Sequence, residues 1–368
     1  MPAPEEQALR GHPPMTSRIA LAGWIGSDNL GDELILRSLA RRIRARGATP
    51  VAISIDPAAT SDLHGISALR HRSPGDTRRL SRSLAGMDGI ILSGGLIQNE
   101  TSPWNLPFHA SRVWASRRLP CGTVGLGVGR VTGRWPVAIA RRMMRRMNPL
   151  VVRDHASADR LVAWGMARVR VGADPVMAEE VPPVAPDDSF CVVLRPPNRR
   201  GVSTAAAKAK PPSAVRAAAM ASALDAVADD TGLRIRMVAL QAGRDSPVHE
   251  AVAEHLRHDA ELVTPGLDEV LDEVGRSRLV ISMRYHGAIA ALLHGRAAVL
   301  LDYSPKMASL AAEGGQWAPL ITEPDTEPDR LVRASRSALG VASRAGTARD
   351  ALRARLAEND QALDELIP

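Results

Sequence analysis

Short apolar runs alternate with amphipathic stretches along most of the chain, and this alternation restricts the fold more than any other feature. Ile19–Ala22, Pro50–Ile55, Gly89–Leu92, Cys121–Leu126 and Leu150–Val152 are too short for buried helices and read as strands. Leu34–Arg46 and Ala156–Trp164 carry helical periodicity between them. The polar, proline-rich "EEVPPVAPDDS", Glu179–Ser189, interrupts the pattern and reads as a linker. Beyond it, strands at Phe190–Leu194, Ile235–Leu240, Leu279–Ser282 and Ala298–Leu301 alternate with helices at Val215–Asp229, His249–Leu256, Gly287–Leu293 and Met307–Glu313. Such alternation calls for parallel sheets covered by helices. With 368 residues, 45% of them hydrophobic, the chain can fill two cores. The expectation is an α/β protein with two Rossmann-like doubly wound domains, 17–180 and 190–325, facing across a cleft. A linker over 181–189 joins them, a disordered extension (1–16) precedes them, and a charged helical tail (326–368) follows. The low-complexity stretch Arg199–Ser213 reads as a mobile loop.

The start of the chain is polar and lacks the continuous apolar segment of a secretory leader. No run reaches the ~18 apolar residues of a membrane span, so a cytoplasmic protein is expected. The two cysteines, Cys121 and Cys191, lie in or beside apolar runs and read as small buried residues in a reducing compartment. No Cys/His cluster has ligand spacing, so no metal is expected. A net charge of +7 points to anionic partners, yet aromatic residues make up only 3% of the chain. That is little material for base-stacking platforms, and nucleic acid is not an expected partner.

In open α/β sheets ligands bind outside the carboxyl ends of the strands. Arg153 follows one expected strand, Arg195 the next, Arg284 and His286 a third, and Lys306 a fourth, with Pro305 suited to the first turn of the following helix. Any one of them could be a surface charge, but their shared placement favours convergence. Arg284 and His286 stand where a strand meets a helix of small residues, so free backbone N–H groups face the cleft beside them. An arginine there suits a carboxylate or phosphate, and a histidine there is placed for acid–base work. Glycines mark other strand ends, in "GWIGSDNLGDE" (Gly23–Glu33), "SGGLIQNETS" (Ser93–Ser102) and "GLGVGR" (Gly125–Arg130). The first turn lacks a dinucleotide spacing and a phosphate-binding lysine. Its Asn29 and Asp32 offer amide and carboxylate groups for sugar hydroxyls, and its acidic residues also suit a helix start. "GADPVM", Gly172–Met177, places an Asp-Pro turn near the linker.

The ordered set "GWIGSDNLGDELIL", "ILSGGLIQNETS", "GLGVGRV", "VRDHASADRLVAWG", "GADPVM" and "ISMRYHGAIAALLHGRAAVLLDYSPK" resembles the polysaccharide pyruvyl transferase family, from Gly23 to about Gly315. The resemblance implies a fold like the two-domain GT-B glycosyltransferases. It also implies transfer of a pyruvyl group from phosphoenolpyruvate to a sugar of a cell-surface polysaccharide or its lipid-linked precursor, forming a ketal. It implies active-site roles for Arg153, Arg284, His286 and Lys306, and its Asn-x-Gly-Asp turn matches Asn29, Gly31 and Asp32. With these we expect donor contacts from Arg195 and Tyr285, and acceptor contacts from Gly26, Asn29, Gly31, Asp32, Gly94, Gly95 and Asn99. Three positions depart from the family pattern: Asn99 stands where an aspartate is common, Tyr285 where leucine is frequent, and Arg130 for a frequent proline. Phosphoenolpyruvate enters as co-substrate, with no cofactor. For a lipid-linked acceptor, Arg141, Arg142, Arg145 and Arg146, at i,i+4 spacing in "WPVAIARRMMRRMNP", form a basic patch for the inner membrane surface; a solvated helix face is the plainer reading. The alternatives are a glycosyltransferase that uses a nucleotide sugar, and a non-catalytic glycan- or membrane-associated homologue.

Overall fold

The computed structural model describes residues 16–196, 213–315, 317–322 and 327–368. The extension expected over 1–16 lies outside them except for Thr16, and so does almost all of the mobile loop expected over 199–213.

Two sheets, each wholly parallel among the described residues, form the frame. The first contains β1 (Arg18–Ala22), β2 (Thr49–Ser54), β3 (Ser67–Arg70), β4 (Gly89–Ile97), β5 (Cys121–Val128), β6 (Leu150–Val152) and β7 (Val169–Val171), in the order β3-β2-β1-β4-β5-β6-β7. The second contains β8 (Asp187–Val193), β9 (Arg234–Val238), β10 (Ala260–Val263), β11 (Ser277–Ser282), β12 (Ala297–Asp302) and β13 (Leu320–Thr322), in the order β10-β9-β8-β11-β12-β13. Strand order reverses between β1 and β4 and again between β8 and β11, which opens a crevice at each set of carboxyl ends.

The helices of the first half are α1 (Leu30–Arg44), α2 (Pro57–His64), α3 (Thr77–Ser83), α4 (Asn105–Ala115), α5 (Arg134–Met144) and α6 (His155–Ala163). Those of the second are α7 (Ala214–Thr231), α8 (Ala242–Ala253), α9 (Val270–Gly275), α10 (Tyr285–Leu293) and α11 (Pro305–Glu313), followed by α12 (Pro328–Gly340), α13 (Arg344–Ala354) and α14 (Leu356–Leu366). The α/β reading with two doubly wound sheets holds. β8 begins at Asp187, inside the expected linker, because the Asp187 N–H donates to the Arg276 carbonyl at 2.7 Å and lengthens the ladder. The helical tail is shared: α12 packs on α7, whereas α14 returns to β5 and β6 of the first sheet. Its Leu366 fills the space over Gly122, where a Cβ would lie 2.5 Å from Cδ1.

One apolar cluster runs without a break from the first half into the second, joining Leu34 and Leu39 of α1 to Ile289 and Leu292 of α10. Helix α10, "YHGAIAALL", is almost wholly apolar because every residue of it but His286 is buried. Polar contacts reinforce the junction. The Leu30 N–H donates to the Leu240 carbonyl at 2.9 Å, and Gln241 Nε2 donates to the Ser27 carbonyl at 3.0 Å. Both cysteines are free and buried, as expected.

Candidate active site

The first turn is held from within. Gly26 has φ of 75°, and a Cβ there would lie 2.2 Å from Ser54 Oγ, so the chain needs glycine at this point. The Gly26 N–H donates to Glu33 Oε1 at 2.8 Å, and Glu33 Oε2 lies 2.8 Å from His64 Nε2, which makes Glu33 structural. Buried Arg112 of α4 donates to the Gly23 carbonyl. Asn29 takes the extended N-cap position of α1, but its side chain donates to the Asp32 carboxylate and not to the helix backbone.

This turn leads to His286. The imidazole Nδ1 faces Gly31, where a Cβ would lie 2.0 Å away, while Nε2 faces Asp174 Oδ1 at 3.7 Å. Asp174 caps the turn after β7 by accepting the Val176 N–H at 3.1 Å, and Arg153 Nη1 donates to its other oxygen at 3.0 Å. Burial works against the Asp174 charge, but His286 and Arg153 outweigh it and hold the pKa down to about 2. A fixed carboxylate thus stands behind the imidazole, the arrangement that orients an acid–base histidine. Tyr285 lies under this group: the Arg153 guanidinium sits 3.9 Å from its ring centre, and its ring meets the His286 ring edge-on at 5.4 Å. Only 5% exposed, Tyr285, an expected donor contact, supports Arg153 and does not line the cavity described below.

Arg284, expected in the active site, is engaged within the protein. It ends β11 as the N-cap of α10, and its guanidinium is bound to Asp245 by two hydrogen bonds, with Nη2 3.3 Å from Gln241 Oε1. Asp245 is fully buried and also accepts the N–H groups of Leu240 and Gln241 at 3.1 and 2.9 Å. The pair fixes the start of α10 against the loop that meets Ser27 across the junction. It does not line the cavity either.

That cavity, of about 80 Å³, lies between the halves. Gly95, Gly127, Arg153 and Arg160 line it from the first half, and Arg195, Tyr303, Ser304 and Lys306 from the second. Arg160, Tyr303 and Ser304 were missed in the sequence, because nothing local marks a mid-helix arginine or a loop tyrosine. Ser304 caps α11, so a helix N-terminus also opens here. The Arg195 guanidinium stacks 4.3 Å from the Tyr303 ring centre, with Lys306 Nζ at 5.2 Å. Burial raises the Tyr303 pKa, but the charges of Lys306 and Arg195 overcome it and bring the phenol down to about 8. Burial pushes the Lys306 pKa down. Such a set of fixed cations in a small recess suits a compact dianion.

Asp32 stands beside this ground. Burial raises its carboxyl pKa to about 6, although His286 and Lys306 both act to lower it. Gly94, with φ of 90°, allows the backbone to pass Asp32, and Gly95 passes Arg153. Asn99 is spent elsewhere: its amide donates to the Thr132 carbonyl at 2.8 Å and accepts the Thr132 N–H at 3.0 Å, clamping two loops. It does not reach the cavity. Next to this loop is a wider pocket of about 700 Å³ between Trp24, Trp104 and Phe108, with Gly26, Asp28 and Asp56 on its polar side. Of these only Gly26 was expected.

Among the described residues no group of three or more acidic, histidine or cysteine side chains could hold a metal ion. No curated protein matches the chain. Its fold is similar to that of S. aureus MnaA in complex with UDP, with a TM-score of 0.62 at 13% identity over 91% of this chain and 94% of that one. UDP-GlcNAc 2-epimerase from Neisseria meningitidis bound to UDP-GlcNAc gives a TM-score of 0.57 at 12% identity, over 94% and 99% of the two chains. The spinosyn rhamnosyltransferase SpnG gives 0.51 at 14%, over 93% and 99%. These likenesses establish a GT-B-like fold. A family model for polysaccharide pyruvyl transferase matches residues 29–305. From the Asn29 turn to the Pro305 helix start, the matched span takes in residues of both walls of the cleft and ends one residue before Lys306, and the chain belongs to the polysaccharide pyruvyl transferase family.

Proposed function

We propose that the chain transfers the pyruvyl group of phosphoenolpyruvate to a sugar of a cell-surface polysaccharide or its lipid-linked precursor, forming a ketal and releasing phosphate. The observation that carries this reading is the cavity that Arg153, Arg160, Arg195 and Lys306 line together. Phosphoenolpyruvate carries a carboxylate and a phosphate on three carbons, and convergent cations match both. In the reaction a sugar hydroxyl bonds to C2 while the methylene carbon takes a proton and becomes a methyl group. The C2–O bond to phosphate then breaks, a second hydroxyl bonds to C2, and its proton leaves with the phosphate.

His286, backed by Asp174, delivers the proton to the methylene carbon. Asp32, with a pKa of about 6 beside His286 and Lys306, accepts the proton of the attacking hydroxyl. Lys306, Arg195 and Arg160 hold the donor, and Arg153 joins them from its platform on Tyr285. Arg284 acts through position, by fixing α10. Gly94 and Gly95 give the acceptor room, and the Trp24–Trp104–Phe108 pocket holds its sugar by stacking. The cations neutralise phosphate themselves, so turnover in a chelator should be unchanged. No helix of the described residues is long and apolar enough to cross a membrane. The reading places the chain in the cytoplasm at the inner membrane face, with exposed Arg142, Arg145 and Arg146 toward it and half-buried Arg141 turned inward beside Gly165.

Incubation with phosphoenolpyruvate and candidate sugar or sugar-lipid acceptors tests the reading, by phosphate release together with a pyruvyl mass increment on the acceptor. A second reading, glycosyl transfer from a nucleotide sugar, draws on structural neighbours that are complexes with UDP or UDP-GlcNAc. A Tm rise with UDP and none with phosphoenolpyruvate would favour it. A response to neither would point to a non-catalytic homologue.

A further inference from the structure

Three neighbouring helices of the first half carry an uncompensated positive face. Helix α3 packs on α4, and α4 on α5. The segments 77–83, 105–118 and 134–147 contain no aspartate or glutamate, and every exposed charge on them is an arginine. Arg78 and Arg82 project from α3, and Arg117 and Arg118 follow α4. None of these, nor Arg142, Arg145 or Arg146 at the end of α5, makes an ion pair among the described residues. Several arginines elsewhere are paired, as Arg46 is with Asp360 and Arg257 with Asp229.

The same face bears large exposed aromatic groups. Trp104, Trp114 and Trp135 are 72%, 61% and 82% exposed and lie at the two ends of α4 and the start of α5. Trp135 and Arg142 are seven residues apart on α5, two turns along one side of the helix. Exposed indole is costly in water, and indole beside arginine suits the headgroup zone of a bilayer, where indole is amphipathic and arginine meets lipid phosphate. A nucleic acid would satisfy the arginines, but tryptophans spread over the outer faces of two helices offer it no groove with stacked bases.

We propose that the α3–α4–α5 face docks peripherally on an anionic membrane surface, with its arginines on lipid phosphates and Trp114 and Trp135 inserted at headgroup depth. Trp104 belongs both to this face and to the rim of the aromatic pocket. Docking therefore brings the pocket mouth to the bilayer, so the acceptor is a sugar carried on a membrane lipid; this last step rests on the pyruvyl-transfer reading.

Sedimentation of the full chain with phosphatidylglycerol-containing vesicles, against pure phosphatidylcholine, tests the docking without any need for turnover. Binding is expected only to the anionic vesicles, weakening with salt, with a blue shift of tryptophan emission. Removing Arg142, Arg145 and Arg146 together should lower the partition coefficient by about fivefold per arginine. Trp114→Ser with Trp135→Ser should weaken binding at least about tenfold, while turnover on a short water-soluble acceptor stays unchanged. Equal binding to both vesicle types, no binding by the folded chain, indifference to the tryptophan changes, or equally tight retention on DNA would each overturn the proposal. Turnover by an unaltered chain that does not bind anionic vesicles would sink the docking alone. The reverse would sink the reaction alone.

Discussion

The His286 ring occupies the space that a side chain at position 31 would need: a Cβ on Gly31 would lie 2.0 Å from Nδ1 and 2.6 Å from Cγ. Replacing a glycine in an α-helix by alanine ordinarily stabilises a protein, by roughly 0.5–1 kcal/mol. Here the methyl group must displace the imidazole from Asp174. Gly31→Ala should lower kcat about 100-fold, since a shift near 1 Å can cost that much, with a smaller effect on KM. Phosphate-release kinetics would show this, and the Gly31→Ala/His286→Ala pair should be no worse than His286→Ala alone. Additive losses would mean that Gly31 acts by another route.

The chain has two tyrosines, so phenol ionisation can be read without ambiguity. Burial pushes the Tyr285 pKa up, whereas the charges beside Tyr303 bring it down to about 8 against burial. Phenolate absorbance of the folded protein should therefore rise with a midpoint near pH 8, and Tyr303→Phe should abolish that step. Because the folded pKa lies below the usual 10, this group adds stability that is full above about pH 10 and fades as pH falls through 8. An anion bound at Lys306 and Arg195 cancels part of the field. Phosphoenolpyruvate should move the midpoint upward, and a midpoint indifferent to it would remove those residues from the donor site.

The strands that the sequence shows plainly are the interior ones, such as β1, β4, β8 and β11, buried on both faces and so written as unbroken apolar runs. The four edge strands, β3 "SALR", β7 "VRV", β10 "AELV" and β13 "LIT", were not legible, because each is only three or four residues long, largely uncovered and interrupted or ended by a polar residue. The site divides along a similar line. Arg153, Arg195 and Lys306 follow interior strands and could be found by that rule. Their partners could not: Asp245 and Asp174 lie 39 residues from Arg284 and 21 from Arg153, and only the fold closes those pairs. Asn99 was an expected acceptor contact at a position where the family has an aspartate, and only the fold shows its amide clamping Thr132.

Asp32 predicts a pH effect on stability. Its folded pKa, about 6, lies above the ordinary 3.8, chiefly through burial, so the folded state favours the protonated form. Wild-type stability should fall as pH rises from about 4 to 6 and carry the full penalty above 6. A shift of about two units corresponds to about 3 kcal/mol. Asp32→Asn cannot titrate and should lack this slope. Urea unfolding at about pH 4 and pH 7 would compare the two proteins. Parallel stability curves would mean that Asp32 does not carry the elevated pKa, and with it the proposed role as base.

Asp245 and Arg284 form a pair whose removal should be felt in folding before it is felt in donor binding. Asp245 is fully buried and Arg284 is 8% exposed, so Asp245→Asn leaves a guanidinium charge in the interior with no counter-charge. Breaking a buried pair from one side costs about 3–5 kcal/mol, whereas replacing both partners by apolar residues costs less. Asp245→Asn should therefore be less stable in urea than Asp245→Leu/Arg284→Met. An arginine that gripped phosphoenolpyruvate directly would behave differently: Arg284→Met alone would raise the donor KM while the unfolding midpoint stayed in place. The reverse is expected, with the midpoint falling and the donor KM of the remaining folded enzyme changing little, because the Arg284 guanidinium is bound to Asp245 and does not line the cavity that Lys306, Arg195 and Arg160 share.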